Sequence, residues 1–192
     1  MKVFFYDTHN FERIHFCESN KIYSYDFTFY EGKLNEKSAP AAAGFECVCP
    51  FVNDKLDRNV LMILAKNGTK LIALRSAGFN HVDLNAAKEL GLKIVRVPEY
   101  SPYSVAEHAI ALILTLNRKI HKAYNRVREG NFSLEGLVGF DLHGKTVGVI
   151  GTGKIGNAFI RIARGFGCNV IAHDLFPQHQ LSLDLGFTYV SL

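Results

Sequence analysis

The sequence lacks several features that would fix its class at once. No apolar run approaches the roughly 18 residues that a membrane-spanning helix needs. The four apolar residues from Val3 to Tyr6 are too few for the core of a secretory leader. Both absences predict a cytoplasmic protein. Cysteine is sparse: Cys17, Cys47, Cys49 and Cys168 make neither a Cys-x-x-Cys pair nor a dense framework of the secreted kind. Cys47 and Cys49 alternate along an expected strand and so share one face, but nothing nearby completes a four-ligand metal site; buried free thiols are expected. Charge of one sign never forms a continuous run. The net charge of +4 is dispersed, and even the basic stretch at 119–128 interleaves its Lys and Arg with apolar and neutral residues, without the like-charged block that tracks a phosphate backbone, so nucleic acid is not an expected partner.

What the sequence does have is apolar substance. With 48% apolar and 21% charged residues over 192 positions, it can bury a sizeable core, and disorder is excluded. The first hundred residues alternate short apolar runs with helix-like stretches, the pattern of βαβ construction. Strands are predicted at 3–6, 22–29, 47–52, 70–74 and 93–97. Helices are predicted at 57–67, stopped by Gly68, and at 82–90, stopped by Gly91; Pro40 weakens any helix over 36–43. From Ser104, apolar residues at 105, 109, 112, 113, 116 and 120 keep helical spacing. Ser104 and Glu107 have the spacing of a capping box. Carried to Glu129, this helix would be about 39 Å long at 1.5 Å per residue, enough to cross a domain boundary. That boundary is placed near residue 100, giving domains 1–100 and 101–192.

After a connector over 130–144, a strand at 146–150 runs into Gly151-Thr-Gly-Lys-Ile-Gly156, and a helix follows to Arg164. A further strand at 169–173, a helix at 178–185 and a strand at 187–190 complete the pattern. Gly-x-Gly-x-x-Gly alone is weak; between a strand and a helix, with Asp174 at the end of the next strand, it reads as a dinucleotide fingerprint. Gly151 permits the tight turn, Gly153 lets a pyrophosphate approach the backbone, and Gly156 lets helix and strand pack closely. Lys154 and Ile155 lie on the phosphate-facing turn, where helix-start amides meet an anion. Asp174 can accept hydrogen bonds from both ribose hydroxyls and opposes the extra phosphate of NADP, and no Arg stands at 175 or 176 to offset it. NAD is therefore the expected cofactor.

Beyond the fingerprint, the chain resembles the NAD-dependent D-2-hydroxyacid dehydrogenases, and among them the fermentative D-lactate group. The resemblance rests on Leu74-Arg-Ser-Ala-Gly-Phe-Asn80, Val82-Asp-Leu84, Arg96-Val-Pro-Glu-Tyr-Ser-Pro102, Val105-Ala-Glu-His108, Asn117-Arg-Lys119, residues 126–134 and the glycine motif. It implies an α/β chain: a flavodoxin-like substrate domain followed by the first half of a Rossmann domain. It further implies that backbone amides of Ala77 and Gly78 receive the substrate carboxylate, and that Tyr100 and Phe51 line the substrate pocket. A small residue beside Gly suits that task, since no side chain bars an anion from the peptide N–H groups. His81 stands where the family pattern has asparagine, and His173 where it has an aromatic residue.

The family's catalytic Arg, Glu and His match nothing here, so no catalytic residue is assigned. Glu107 and His108 are not a substitute, because helix neighbours point about 100 degrees apart. A doubly wound dinucleotide domain needs about six strands, and 145–192 supplies three; about 90 further residues are expected at roughly 30 per βα unit. The expected whole is a D-lactate dehydrogenase acting on a small 2-oxo or 2-hydroxy acid as a homodimer or larger assembly, of which this fragment alone has little turnover. A non-catalytic NAD-binding, redox-sensing module is the alternative; a third is an interrupted product that folds poorly.

Overall fold

The computed structural model describes every residue from Met1 to Leu192, and the chain divides into two compact units, Met1–Tyr100 and Ser101–Leu192. The first contains β1 (Lys2–Phe5), α1 (Asn10–Asn20), β2 (Asp26–Phe29), β3 (Cys47–Cys49), α2 (Arg58–Lys66), β4 (Leu71–Ala73), α3 (Leu84–Glu89) and β5 (Lys93–Val95). Its five strands are all parallel, in the order β2-β1-β3-β4-β5. That is the flavodoxin-like order of a doubly wound sheet.

Strand alternation sorts the core into two faces, because successive side chains point to opposite sides of a sheet. Phe4, Val48 and Ile72 join Leu56, Val60, Leu61, Leu64, Ala86 and Ala87 on the face covered by α2 and α3. Val3, Phe5, Cys47 and Cys49 join Phe16 of α1 on the other. The fully buried leucines contribute about 2 kcal/mol each from removal of apolar area from water. The two covering helices are capped as their sequences dictate: Asp57 accepts from the Val60 N–H at 3.1 Å and Asp83 from the Ala86 N–H at 2.9 Å. They end on Gly68 and Gly91, which adopt φ of +98° and +69°.

The second unit contains α4 (Pro102–Arg118), α5 (Ile120–Arg128), β6 (Thr146–Ile150), α6 (Lys154–Gly165), β7 (Asn169–His173), α7 (His179–Leu185) and β8 (Thr188–Tyr189). Its sheet is parallel in the order β6-β7-β8. Ile160 and Ala163 of α6 pack with Cys168, Val170, Ala172 and Phe187. β6 pairs on one side only, and Ile150 at its end is 78% exposed.

Several elements differ from the pattern read along the sequence. The single helix over 104–129 is two helices, broken at Lys119, which takes the left-handed conformation (φ 54°, ψ 34°). The break coincides with a docking point. Asn117 Nδ2 donates to the Phe140 carbonyl at 2.7 Å, the Phe140 N–H donates to Asn117 Oδ1 at 2.9 Å, and a Cβ on Gly139 would overlap the Asn117 carbonyl oxygen. The helix starts earlier than the capping-box reading put it. Ser101 is the N-cap, its hydroxyl accepting from the Ser104 N–H at 3.3 Å, and Pro102 occupies the first turn. α1 was not anticipated, because its exposed Phe11 and Ile14 blur any apolar stripe. The strands predicted at 22–29 and 47–52 are shorter, and Pro50 follows the end of β3. Residues Ala39–Ala42, around Pro40, form one turn of 3₁₀ helix.

Candidate functional site

The glycine turn of the second unit lies between β6 and α6. Gly151 has a φ of +91°, which a side-chain-bearing residue rarely adopts, and space is open at the positions where Gly151 and Gly153 would carry a Cβ. At Gly156 the opposite holds: a Cβ would overlap the Gly151 carbonyl oxygen. Helix and turn touch backbone to backbone there, so only glycine fits. Gly153 is the N-cap of α6 and has no side chain with which to cap it. Lys154 and Ile155 open the helix, their backbone amides at the positive end of its dipole.

Asp174 stands one residue past β7, beside this turn. Its Oδ1 accepts from the Phe176 N–H at 2.9 Å; its Oδ2 accepts from the Thr152 N–H at 2.6 Å and from the Thr152 hydroxyl at 2.8 Å. The Phe176 amide, then the Thr152 amide and hydroxyl, favour the charged form and hold its pKa down at about 2. Thr152 is buried, and its Oγ1 also lies 2.8 Å from the Tyr189 hydroxyl of β8. The sequence reading singled out Asp174 and the glycines; Thr152 and Tyr189 it missed. A Thr between two glycines was a signal in hand, whereas Tyr189 carries none in one dimension.

In the first unit, the loop after β4 carries Ala77 and Gly78. Arg96 Nη1 donates to the Ala77 carbonyl at 3.0 Å and to those of Val97 and Pro98 at 3.3 and 3.2 Å. The Val97 N–H donates to the Ser76 carbonyl at 3.2 Å. The Ser76 hydroxyl donates to the Gly78 carbonyl at 2.7 Å. The carbonyls of this loop are thus engaged inside the protein, while its Ala77 and Gly78 N–H groups find no acceptor in the chain.

Phe51 is brought to the same loop through Arg75. The Arg75 guanidinium lies 4.8 Å from the Phe51 ring centroid, a cation–π contact. It also donates to the carbonyls of Pro50 and Tyr6 and pairs with Glu12 of α1 at 2.7 Å, with both side chains almost buried. Asp54 fixes the Phe51 backbone, since its Oδ2 accepts from the Phe51 N–H and its Oδ1 from the Leu34 N–H, both at 2.7 Å. Burial pushes the Asp54 carboxyl up, against the pull of those two amides. Tyr100, at the end of the first unit, is 64% exposed. An open cleft of about 630 Å³ lies nearby, lined in part by Asp54, Asn80, His81 and Asp83; it includes neither Phe51, Ala77 nor Gly78. Burial pushes the His81 imidazole down. Cys47 and Cys49 are buried thiols, raised by burial to about 11 and about 12.

A sequence profile of the D-isomer specific 2-hydroxyacid dehydrogenase catalytic domain matches residues 3–188. The chain belongs to this family. Among its dehydrogenase relatives, the D-lactate dehydrogenase of Escherichia coli (strain K12) is 54% identical over the whole of this chain, and a 2-hydroxyacid dehydrogenase homolog of Haemophilus influenzae is 53% identical, again over the whole chain. In both cases the chain spans 58% of the relative's length. The apo-structure of the E. coli D-lactate dehydrogenase superposes with a TM-score of 0.93 at 53% identity, covering 100% of this chain and 60% of that one. D-lactate dehydrogenase from Aquifex aeolicus, solved with NAD and lactic acid, gives a TM-score of 0.80 at 32% identity, covering 98% of this chain and 56% of that one.

Proposed function

We propose that the full-length protein is an NAD-dependent D-lactate dehydrogenase, reducing pyruvate with NADH, and that this chain holds its substrate-carboxylate loop and the adenine half of its cofactor site. The observation that carries the reading is the Asp174 carboxylate, held ionised beside a turn in which Gly156 admits no side chain. The donor set suits a dinucleotide. The open space at Gly151 and Gly153 and the uncapped start of α6 suit a diphosphate, and the anionic carboxylate suits a ribose diol and repels a 2′-phosphate.

Bound NADH supplies a hydride, which reduces the carbonyl carbon of the keto acid while a proton goes to its oxygen. Gly151, Gly153, Lys154, Ile155 and Gly156 hold the diphosphate, and Asp174 the adenosine ribose. The N–H groups of Ala77 and Gly78 receive the substrate carboxylate; the plane of the Gly78 N–H is fixed by Arg96 on the Ala77 carbonyl and that of the Ala77 N–H by the Val97 N–H on the Ser76 carbonyl, and Phe51 and Tyr100 line the pocket beside them. The proton donor, its assisting Glu and the carboxylate-binding Arg are assigned to sequence beyond residue 192, so the chain 1–192 alone has little or no turnover. The reading includes a cytoplasmic setting and a homodimer or larger assembly. Supporting the assembly, Leu116, Ile120 and Val127 expose apolar surface along α4 and α5.

Calorimetric titration of the full-length protein tests the cofactor assignment. NADH is expected to bind well and NADPH poorly, and Asp174→Ala is expected to weaken the first and strengthen the second. Equal binding of both cofactors before and after that substitution would remove the assignment. Lactate formation by purified 1–192 above trace rates would overturn the placement of the catalytic groups.

A further inference from the structure

The ribose acceptor is the end of a hydrogen-bond chain whose direction is fixed by chemistry. A carboxylate only accepts, so the Thr152 hydroxyl proton is committed to Asp174 Oδ2 at 2.8 Å. Thr152 Oγ1 must then accept from the Tyr189 hydroxyl, also at 2.8 Å. The Tyr189 oxygen accepts in turn from the Gln178 N–H at 3.2 Å. The donors therefore run Gln178, Tyr189, Thr152, Asp174, each bond polarising the next. Thr152 reinforces the end point by donating its own N–H to the same Oδ2 at 2.6 Å. The Phe176 N–H occupies one side of Oδ1, leaving the rest of that oxygen to an incoming hydroxyl.

We infer that Thr152 and Tyr189 are positioning residues for cofactor selection: they lock Oδ2 of Asp174 to the glycine turn and thereby fix the direction in which Oδ1 is offered to the ribose. Thr152 is a side chain of the phosphate turn itself, so one residue ties the diphosphate cradle to the sugar acceptor. Tyr189 extends the tie to β8, where its ring also packs edge-on against Phe187 at 5.0 Å. The inference rests on the NAD reading above, because it assigns no task to the chain unless Asp174 meets a ribose.

The test is a double-mutant cycle on the full-length protein, with NADH and NADPH dissociation constants read by nucleotide fluorescence. Thr152→Val keeps the shape and removes the hydroxyl; it is expected to weaken NADH about tenfold, the size of one hydrogen bond to a charged group, and to narrow the preference over NADPH. Thr152→Ser is expected to restore both. Tyr189→Phe, one step further along the chain, is expected to weaken NADH about threefold and keeps the test alive if Thr152→Val folds poorly. In an Asp174→Ala background both substitutions should have no further effect on NADH, since they act through that carboxylate. If they still weaken NADH there, or if Thr152→Val and Tyr189→Phe bind NADH as the parent does while Asp174→Ala does not, the positioning role is overturned and the NAD reading stands. If Asp174→Ala itself changes nothing, the NAD reading fails and takes the inference with it.

Discussion

The two units are built from the same parallel βα grammar, yet they finish it differently. In the first, β1 and β3 have a strand on either side and helices over both faces, and the three residues of β3 are all buried. In the second, β6 has the sequence of an interior strand, Thr-Val-Gly-Val-Ile, but pairs only with β7 and exposes alternate residues. A strand that reads as apolar on both faces is written for the middle of a sheet. The comparison teaches that strand composition reports a position in a sheet, and that the first unit meets that position within these residues while β6 does not. Hydrogen exchange on the chain should show it directly, with β1 and β3 amides protected far longer than those of β6.

The largest effect that would sharpen the contrast is expected from Glu12→Ala. It strands the nearly buried Arg75 guanidinium and should cost on the order of 3 kcal/mol of first-unit stability, seen as an earlier urea transition in β1 and β3 exchange with the β7 amides unchanged. Gly156→Ala reverses the roles. It forces a methyl group into the Gly151 carbonyl and should cost the second unit about 2 kcal/mol, with loss of NADH binding in the full-length protein and no change in first-unit exchange. A smaller effect of opposite sign is expected from Lys119→Gly, which relieves a left-handed side-chain-bearing residue and should stabilise the second unit by about 1 kcal/mol in thermal melts.

The smallest concerns pH. The folded Asp174 carboxyl titrates at about 2, below its ordinary 3.8. Its contribution to stability is therefore complete above about pH 4 and is lost as the pH falls toward 2. The stability gap between the parent and Asp174→Asn should close over that window. A gap that stays constant down to pH 2 would show that the amides of Thr152 and Phe176 do not favour the charged form.

How much of this was legible in the sequence differs between short and long range. Strand periodicity and the Gly68 and Gly91 stops are local signals, and they placed the first unit's strands and its α2 and α3 helices; the Asp57 and Asp83 caps are equally local but were not read. The glycine turn with its acidic residue is local as well. What stayed hidden depends on partners far apart in sequence. The helix break at Lys119 belongs to a docking contact between Asn117 and Phe140, and apolar periodicity ran straight through it. Ser101 was overlooked as a cap because Ser104, three residues later, offered an acidic residue at the expected spacing. Glu12 meets Arg75 across 63 positions and Thr152 meets Tyr189 across 37, separations over which no spacing rule applies. Candidate site residues were readable where a motif names them, whereas the groups that hold those residues in place were not.

Arg96 gives the loop after β4 a mechanical property. One guanidinium nitrogen gathers the carbonyls of Ala77, Val97 and Pro98, so the peptide plane of Ala77 is buckled to the backbone leaving β5. A twist at Val97 or Pro98 must be passed to that plane, and the aim of an N–H group sitting on a loop becomes answerable to a segment twenty residues downstream.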